Sequence, residues 1–123
     1  MTAKKILLVD DSSTILTLER MILSKYGYEL FTARDGQEAV RKAHSEQPDL
    51  ILMDVVMPTM NGLEAVRSLH ESEETRAIPV IMVTTRGEAA NVESAFTFGC
   101  SDYVTKPINS MDLVAKIRSC LGE

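Results

Sequence analysis

The sequence predicts an α/β protein built on a central parallel sheet. Five short apolar runs alternate along the 123 residues with five longer stretches of helical period, which is the pattern of consecutive strand–helix–strand units. The runs at 6–9, 50–53 and 80–83 are wholly apolar, as central strands covered by helices on both faces must be. Aromatic residues make up only 5% of the chain, so we expect a core of aliphatic side chains filled in by the seven methionines.

The first strand is predicted at Lys5–Val9, and the first helix at Ser13–Tyr26. Either Ser12 or Ser13 can cap this helix, and Gly27 closes it, as glycine does at helix C-termini. The helix is recognised by an apolar stripe at helical spacing. That stripe comprises Ile15, Leu16, Leu18, Ile22 and Leu23.

The alternating segment Tyr28–Thr32 predicts an edge strand. The sequence Asp-Gly-Gln-Glu at 35–38 is a capping box, and it opens a second helix that reaches about Glu46. Pro48 prevents this helix from continuing. The third strand therefore falls at Leu50–Met53.

A loop is expected at Asp54–Met60, which contains Pro58. The sequence Asn-Gly-Leu-Glu at 61–64 is a second cap signal, so a third helix should run to about His70. The polar stretch Glu71–Ala77 reads as a surface connection.

Pro79 opens the fourth strand, which leads to a fourth helix at Glu88–Phe98, stopped by the glycine that follows it. The fifth strand is predicted at Asp102–Thr105. The sequence Asn-Ser-Met-Asp at 109–112 caps a last helix that ends at Gly122.

The bulk properties narrow the class of protein. We expect one domain over residues 1–123, with no effector domain. The net charge of −5 argues against a nucleic-acid partner. Cys100 and Cys120 have neither metal nor redox spacing, and free thiols fit a reducing cytoplasm. The first apolar run is too short for a signal peptide or a membrane span, so we predict a cytoplasmic protein without a membrane partner.

Residues suited to phosphoryl chemistry follow four of the apolar runs. In chain order these residues are Asp10, Asp11, Asp54, Thr84 and Lys106. Because the carboxyl ends of parallel strands share one edge of a sheet, the side chains should converge there. Three converging carboxylates repel one another, so the cluster is expected to hold a cation, and oxygen ligands of this kind suit Mg²⁺. The alternative for Asp11 is a helix cap.

Asp54 is the best nucleophile in this group, because a carboxylate that attacks phosphorus forms an aspartyl phosphate. The charge on the phosphoryl oxygens would be met by Mg²⁺, by the Lys106 ammonium and by the Thr84 hydroxyl. The alternative for Lys106 is a structural ion pair with the acids. The Lys106-Pro107 peptide bond can be cis or trans.

These residues resemble the receiver domain of two-component response regulators, and most closely the stand-alone CheY-like type that serves chemotaxis. The matches run in order over nearly the whole chain: Asp10-Asp11, Asp54, Met57-Pro58, Asn61-Gly62, Thr84, Tyr103 and Lys106-Pro107. The resemblance implies a flavodoxin-like (βα)5 three-layer sandwich, with a five-stranded parallel sheet of order 2-1-3-4-5.

By this resemblance Asp54 is the phospho-acceptor, and its phosphodonor is a phosphohistidine on a sensor histidine kinase. Asp11 and Asp54 bind Mg²⁺ directly, Asp10 binds it usually through water, and the main-chain carbonyl of Val56 completes the protein ligands. The protein then catalyses only its own phosphoryl transfer and autodephosphorylation, as a signalling switch and not as an enzyme.

The resemblance also assigns Thr84 and Lys106 to the phosphoryl group and makes Tyr103 the aromatic switch residue. Two residues depart from the commonest family pattern. Thr85 follows the switch threonine where a smaller residue is frequent, and Val56 is apolar where a polar or longer residue is often found. Both departures bear on the rates of phosphorylation and hydrolysis.

The fourth helix carries two apolar stripes, of which only one can face the sheet. Ala89, Val92 and Phe96 form the first stripe, and Ala95 and Phe98 belong to the second. The first stripe, together with the switch tyrosine and the last helix, is the family's usual surface for a downstream target protein. The alternative is a helix packed deeply between its neighbours. The chain is expected to be a monomer or a weak, phosphorylation-dependent dimer.

Three other functions compete with a switch that binds proteins. A phosphorelay intermediate would pass its phosphate to a histidine phosphotransfer protein. A Mg²⁺-dependent phosphohydrolase of the haloacid-dehalogenase type would need a second aspartate two residues after the nucleophile, where this chain has Val56. A degenerate receiver that acts as a constitutive interaction domain is disfavoured, because every expected site residue is present.

Overall fold

A computed structural model describes residues 3–55, 61–84 and 89–123, apart from the side chains of residues 89–92. Strands and helices alternate along the described chain. The strands are β1 (Lys5–Val9), β2 (Glu29–Ala33), β3 (Leu50–Asp54), β4 (Val80–Thr84) and β5 (Asp102–Thr105). The helices are α1 (Ser13–Leu23), α2 (Gly36–Glu46), α3 (Gly62–Glu71), α4 (Ala89–Phe98) and α5 (Ser110–Leu121).

All strand pairs are parallel, and the sheet order is β2-β1-β3-β4-β5. This is the flavodoxin-like order that was predicted, and it places β2 at an edge as expected. The register pairs Val9 with Met53 and Thr84 with Thr105. The last residues of β1, β3, β4 and β5 therefore lie at one edge of the sheet, where ligands bind in doubly wound folds.

Helices cover both faces of the sheet, because side chains of successive strand residues point to opposite faces. One buried cluster joins alternate strand residues to α2, α3 and α4, through side chains such as Met53, Val66 and Ala95. The other joins the remaining strand residues to α1 and α5, through side chains such as Leu52 and Leu113. The result is the predicted three-layer sandwich.

Three of the predicted helix starts are confirmed in detail, whereas the predicted start of the fourth helix at Glu88 lies outside the described residues. Asp35, Asn61 and Asn109 each accept a hydrogen bond from the backbone N–H three residues later, at 2.8–3.0 Å. At the capping box, Glu38 also accepts from the backbone N–H of Arg34. Capping depends on contacts within four residues, so these starts were accessible from the sequence.

Several predicted boundaries need correction. Asp54 is the last residue of β3, not the first residue of a loop, and β2 lies one residue later than predicted. The last turn of the first helix is tightened to a 3₁₀ turn at Ser24–Tyr26, before Gly27 at φ 76°. In the predicted surface connection after α3, Thr75 is buried, and its hydroxyl is satisfied by donating to the carbonyl of Leu69 at 2.6 Å.

The methionine prediction holds only in part. Met53 and Met82 are fully buried, whereas Met21 and Met111 are 64% and 83% exposed.

The two cysteines are free thiols, as predicted. None of the helices in the described ranges has the length and hydropathy needed to cross a bilayer.

Candidate functional site

The acidic side chains converge because β1 and β3 are neighbours. Val9 pairs with Met53, so Asp10 and Asp54 follow at the same level of the sheet. The carboxylates of Asp10, Asp11 and Asp54 each offer an oxygen within 4.8 Å of the others. Asp10 and Asp54 are buried, while Asp11 is exposed. Three carboxylates at this spacing can share one small cation.

The loop after β1 fixes the orientation of the first acid. One oxygen of Asp10, Oδ1, accepts from the backbone N–H of Ser12 at 2.9 Å. Ser12 is the N-cap of α1, and its hydroxyl accepts from the backbone N–H of Ile15 at 3.3 Å. The alternative in which Asp11 caps the helix is therefore wrong, and its carboxylate is left facing solvent.

Lys106 spans two of the acids. Its ammonium lies 3.4 Å from Oδ2 of Asp10 and 3.3 Å from Oδ1 of Asp54. Burial lowers the pKa of this ammonium, but the carboxylates of Asp54 and Asp10 together raise it by more than burial lowers it. The pKa therefore lies above its ordinary value, and the lysine stays charged. The backbone N–H of Lys106 donates to the carbonyl of Thr84, and the Lys106-Pro107 bond is cis. Lys106 thus forms the ion pair with the acids that was considered as the alternative to a phosphoryl-binding role.

The carboxyl group of Asp54 has a raised pKa. Burial, and then the carboxylate of Asp10, raise its pKa to about 6, while the Lys106 ammonium pulls it down. A cation at the cluster would oppose the same repulsion. Carboxyl groups with perturbed pKa values of this kind cluster at functional sites.

Thr84 and Tyr103 lie on β4 and β5, the two strands beyond β3 in the sheet. Thr84 ends β4 and is buried. Tyr103 on β5 pairs with Met82, two residues before Thr84, and as a residue it is 36% exposed. Because side chains alternate along strands, Thr84 and Tyr103 stand on the same face of the sheet as Met82.

Part of the predicted site lies outside the described residues. This is true of Val56, of Thr85, of the Met57-Pro58 match and of the side chains of Ala89 and Val92. The end of α4 is described: Ala95 is fully buried, Phe98 packs against the core, and Phe96 is 45% exposed. The second stripe therefore faces the sheet, and Phe96 of the first stripe faces outward.

The sequence reasoning missed one residue at the site, Glu19, and it did not predict the close packing of another, Gly62. Glu19 is only 1% exposed and belongs to the buried stripe of α1. Leu18, which was predicted to belong to that stripe, is 39% exposed. Glu19 lies three residues after Leu16 and four before Leu23, and this spacing on one helical face could have predicted its burial. Gly62 opens α3 so close to β3 that a Cβ there would lie 2.1 Å from the carbonyl oxygen of Asp54.

The repulsion within the acid cluster gives a first prediction. Asp11→Asn should raise the melting temperature of the metal-free protein, because it removes one of three mutually repelling charges without removing a helix cap. The gain should be modest and should shrink in high salt, since Asp11 is exposed. Glu73→Gln is the matched control, because it removes an exposed charge outside the cluster. Thermal unfolding in EDTA at low and high NaCl measures both. An unchanged or lower melting temperature for Asp11→Asn would mean that repulsion is not what Asp11 contributes.

Fold and site together define a doubly wound α/β protein with three acidic side chains and a lysine at the carboxyl edge of its sheet. A family model described as the response regulator receiver domain matches residues 6–118. The chain belongs to this family, whose members are signalling switches that accept phosphate from histidine kinases and bind Mg²⁺ at an acidic site.

Individual relatives agree with this assignment. The chain is 40% identical to the protein PilH of Pseudomonas aeruginosa over 118 residues, which cover 96% of this chain and 98% of PilH. The structure of the chemotaxis response regulator CheY4 of Vibrio cholerae superposes with a TM-score of 0.90 at 33% identity, over 98% of this chain and 100% of that one.

A third relative was solved with its metal. The receiver domain of a sensor histidine kinase from Pseudomonas aeruginosa PAO1, which has a magnesium ion coordinated in its active site cleft, gives a TM-score of 0.91 at 30% identity. The match covers 99% of this chain and 100% of that domain. Several curated relatives are transcriptional regulators, and the chain spans only 46% to 53% of their length.

Proposed function

We propose that this chain is a phosphorylation-activated receiver, in which Asp54 accepts a phosphoryl group from a sensor histidine kinase and thereby switches a protein-binding surface. The observation that carries the proposal is the placement of a buried carboxylate, Asp54, 3.3 Å from the ammonium of Lys106 and beside two further acids. That arrangement offers a nucleophile, an anion partner and a cation site within one edge of the sheet.

The donor set fits Mg²⁺. Three carboxylate oxygens within 4.8 Å are hard ligands, and they leave positions open for water and phosphate oxygens. Asp10, Asp11 and Asp54 would hold the ion, together with the proposed main-chain carbonyl of Val56. When bound there, Mg²⁺ would supply positive charge to neutralise the phosphoryl oxygens.

The protein's own groups account for the rest of the transfer. A carboxylate oxygen of Asp54 forms the bond to phosphorus while the P–N bond of the phosphohistidine breaks, and its electron pair returns to the imidazole. Lys106 already stands within ion-pair distance of Asp54, so it can follow the charge onto the phosphoryl group. Thr84, buried at the end of the neighbouring strand, supplies a hydroxyl donor.

Switching then follows from the position of Thr84. To meet the new phosphoryl oxygens its hydroxyl must move towards Asp54, and this movement vacates space on the face of the sheet that Tyr103 shares. The Tyr103 ring is the side chain placed to fill that space. Its inward movement changes a surface that also includes the exposed Phe96 and, in our proposal, Ala89 and Val92. That surface on α4, β5 and α5 is the proposed binding site for a downstream target protein.

The test is phosphorylation by a small donor. With Mg²⁺ and acetyl phosphate, the wild-type chain should gain the mass of one phosphoryl group, and Asp54→Asn should gain none. Asp49→Asn, which removes an exposed carboxylate just before the first residue of the same strand, is the matched control and should be labelled normally. Undiminished labelling of Asp54→Asn at another residue would overturn the assignment of Asp54.

Additions to the same reaction mixture distinguish the switch from the phosphohydrolase and from the phosphorelay intermediate. Continuous turnover of a phosphate monoester would favour the phosphohydrolase over a switch. Rapid loss of the label to an added histidine phosphotransfer protein would favour the phosphorelay intermediate. A label that stays on Asp54 until it hydrolyses supports the switch.

A further inference from the structure

The side chain of Lys116 on α5 holds the switch tyrosine from two directions. Its ammonium donates to the main-chain carbonyl of Tyr103 at 2.7 Å. The same ammonium lies 5.1 Å from the centroid of the Tyr103 ring, within the range of a cation–π interaction. One residue of a neighbouring helix therefore contacts both the backbone and the ring of Tyr103.

The position of the Lys116 ammonium is itself fixed. Asp112 lies one turn earlier on α5, and its carboxylate approaches the ammonium at 3.4 Å. The side chain of Lys116 is only 28% exposed. A lysine whose three donors are shared between a carboxylate, a carbonyl and an aromatic face has few other orientations available.

The opposite contact of the ring is with α4. The rings of Phe96 and Tyr103 pack edge to face, with centroids 6.2 Å apart and planes at 88°. The Tyr103 ring is thus held in its outward position between an aromatic edge on one helix and an ammonium on another. An inward movement of the ring would have to give up both contacts.

We infer that Lys116 is a positioning residue that keeps Tyr103 outward in the unphosphorylated protein. The inference rests on the proposed function, since it concerns the regulation of the same site. The active state forms only when the phosphoryl group outweighs the contacts that Lys116 makes with the ring. By linkage, weakening those contacts should make the site bind a phosphoryl mimic more tightly.

The experiment uses beryllofluoride with Mg²⁺ as the mimic and NMR of ¹³C-labelled tyrosine rings as the readout. The chain has three tyrosines, and Tyr103→Phe identifies the signal of interest. In Lys116→Met we expect the free Tyr103 signal to move towards its beryllofluoride-saturated position, and beryllofluoride affinity to rise about 2- to 5-fold. Lys116→Arg, which keeps a cation over the ring, should restore wild-type behaviour.

Lys42 offers a matched control. It pairs with Glu38 one turn earlier at 3.3 Å and donates to the carbonyl of Thr32 on a strand, but its cation lies over no ring among the described residues. Lys42→Met should leave both the Tyr103 signal and the affinity unchanged. If Lys116→Met unfolds, Asp112→Asn replaces it, because loosening the ammonium should shift both readouts in the same direction by less.

The possible outcomes distinguish failure of the proposed function from failure of the proposed role of Lys116. If the wild-type chain does not bind beryllofluoride at Asp54, the proposed function is wrong. If the wild-type chain binds it, but Lys116→Met changes neither the ring signal nor the affinity, Lys116 is only a structural tie between α5 and β5. Equal shifts in Lys116→Met and Lys42→Met would also overturn the role of Lys116.

Discussion

Gly62→Ala is expected to destabilise the protein by about 2–3 kcal/mol, as overpacking of a tight contact does. The new Cβ would lie 2.1 Å from the carbonyl oxygen and 3.0 Å from the carbonyl carbon of Asp54. These atoms are main chain in a central strand, so the clash cannot be relieved by rotating a side chain. The helix must instead move away from β3, and the hydrogen bond from the Gly62 N–H to the Val55 carbonyl, 2.8 Å long, is lost or stretched.

Helix propensity alone predicts that Gly62→Ala stabilises the protein, because alanine is the better helix former. Urea unfolding at fixed pH decides between the two. Gly27→Ala is the control, since Gly27 has φ 76° but its Cβ would meet nothing within 4 Å, so only the left-handed backbone costs about 1–2 kcal/mol there. Because the clash is with the main chain of Asp54 itself, labelling by acetyl phosphate should slow in Gly62→Ala and not in Gly27→Ala. A stability equal to or above wild type in Gly62→Ala would contradict the proposed packing.

Replacing Glu19 is expected to stabilise the protein increasingly as the pH rises. Burial, and then the carboxylate of Asp10, raise the pKa of Glu19 from 4.5 to about 8. Its Oε1 atom is buried and has no hydrogen-bond partner among the residues that the structure describes. The folded protein therefore keeps this carboxyl protonated at neutral pH, while the unfolded chain ionises it.

The sign follows from proton linkage. Below about pH 4.5 Glu19 carries its proton in both states, so its ionisation makes no contribution to the free energy of unfolding. Between pH 4.5 and 8 the unfolded state loses the proton first, so the free energy of unfolding falls as the pH rises. Above pH 8 both states are ionised, and the full penalty is on the order of 3–5 kcal/mol.

Glu19→Leu continues the apolar stripe between Leu16 and Leu23 and removes the titrating group. Its advantage over wild type in urea unfolding should be smallest near pH 5 and grow steadily to about pH 8.5. Glu19→Gln keeps the shape and should show the same pH dependence with a smaller constant gain, because its amide is still buried. Glu29→Gln, at an exposed site on the edge strand, should show no such trend. A pH-independent difference for Glu19→Leu would mean that Glu19 is ionised in the folded protein at neutral pH.

The local part of the fold could be predicted from the sequence because it depends on short-range contacts. Asp35, Asn61 and Asn109 cap their helices through bonds to the third residue on, and those bonds require no other element. The same holds for Gly122, whose left-handed φ of 76° ends α5. Placing Asp10 and Asp54 together needed only the rule that parallel strands end at a common edge.

The sequence by itself therefore determined which residues stand at the carboxyl edge of the sheet, and with them the family. The tertiary structure decided how each helix is rotated about its axis. A helix with two apolar stripes buries the one that its neighbours can cover, so Ala95 faces the core and Phe96 faces outward. The packing of α1 against α5 and the sheet likewise buries Glu19 and exposes Leu18, because rotation is set by the fit of the whole stripe and not by the polarity of one residue.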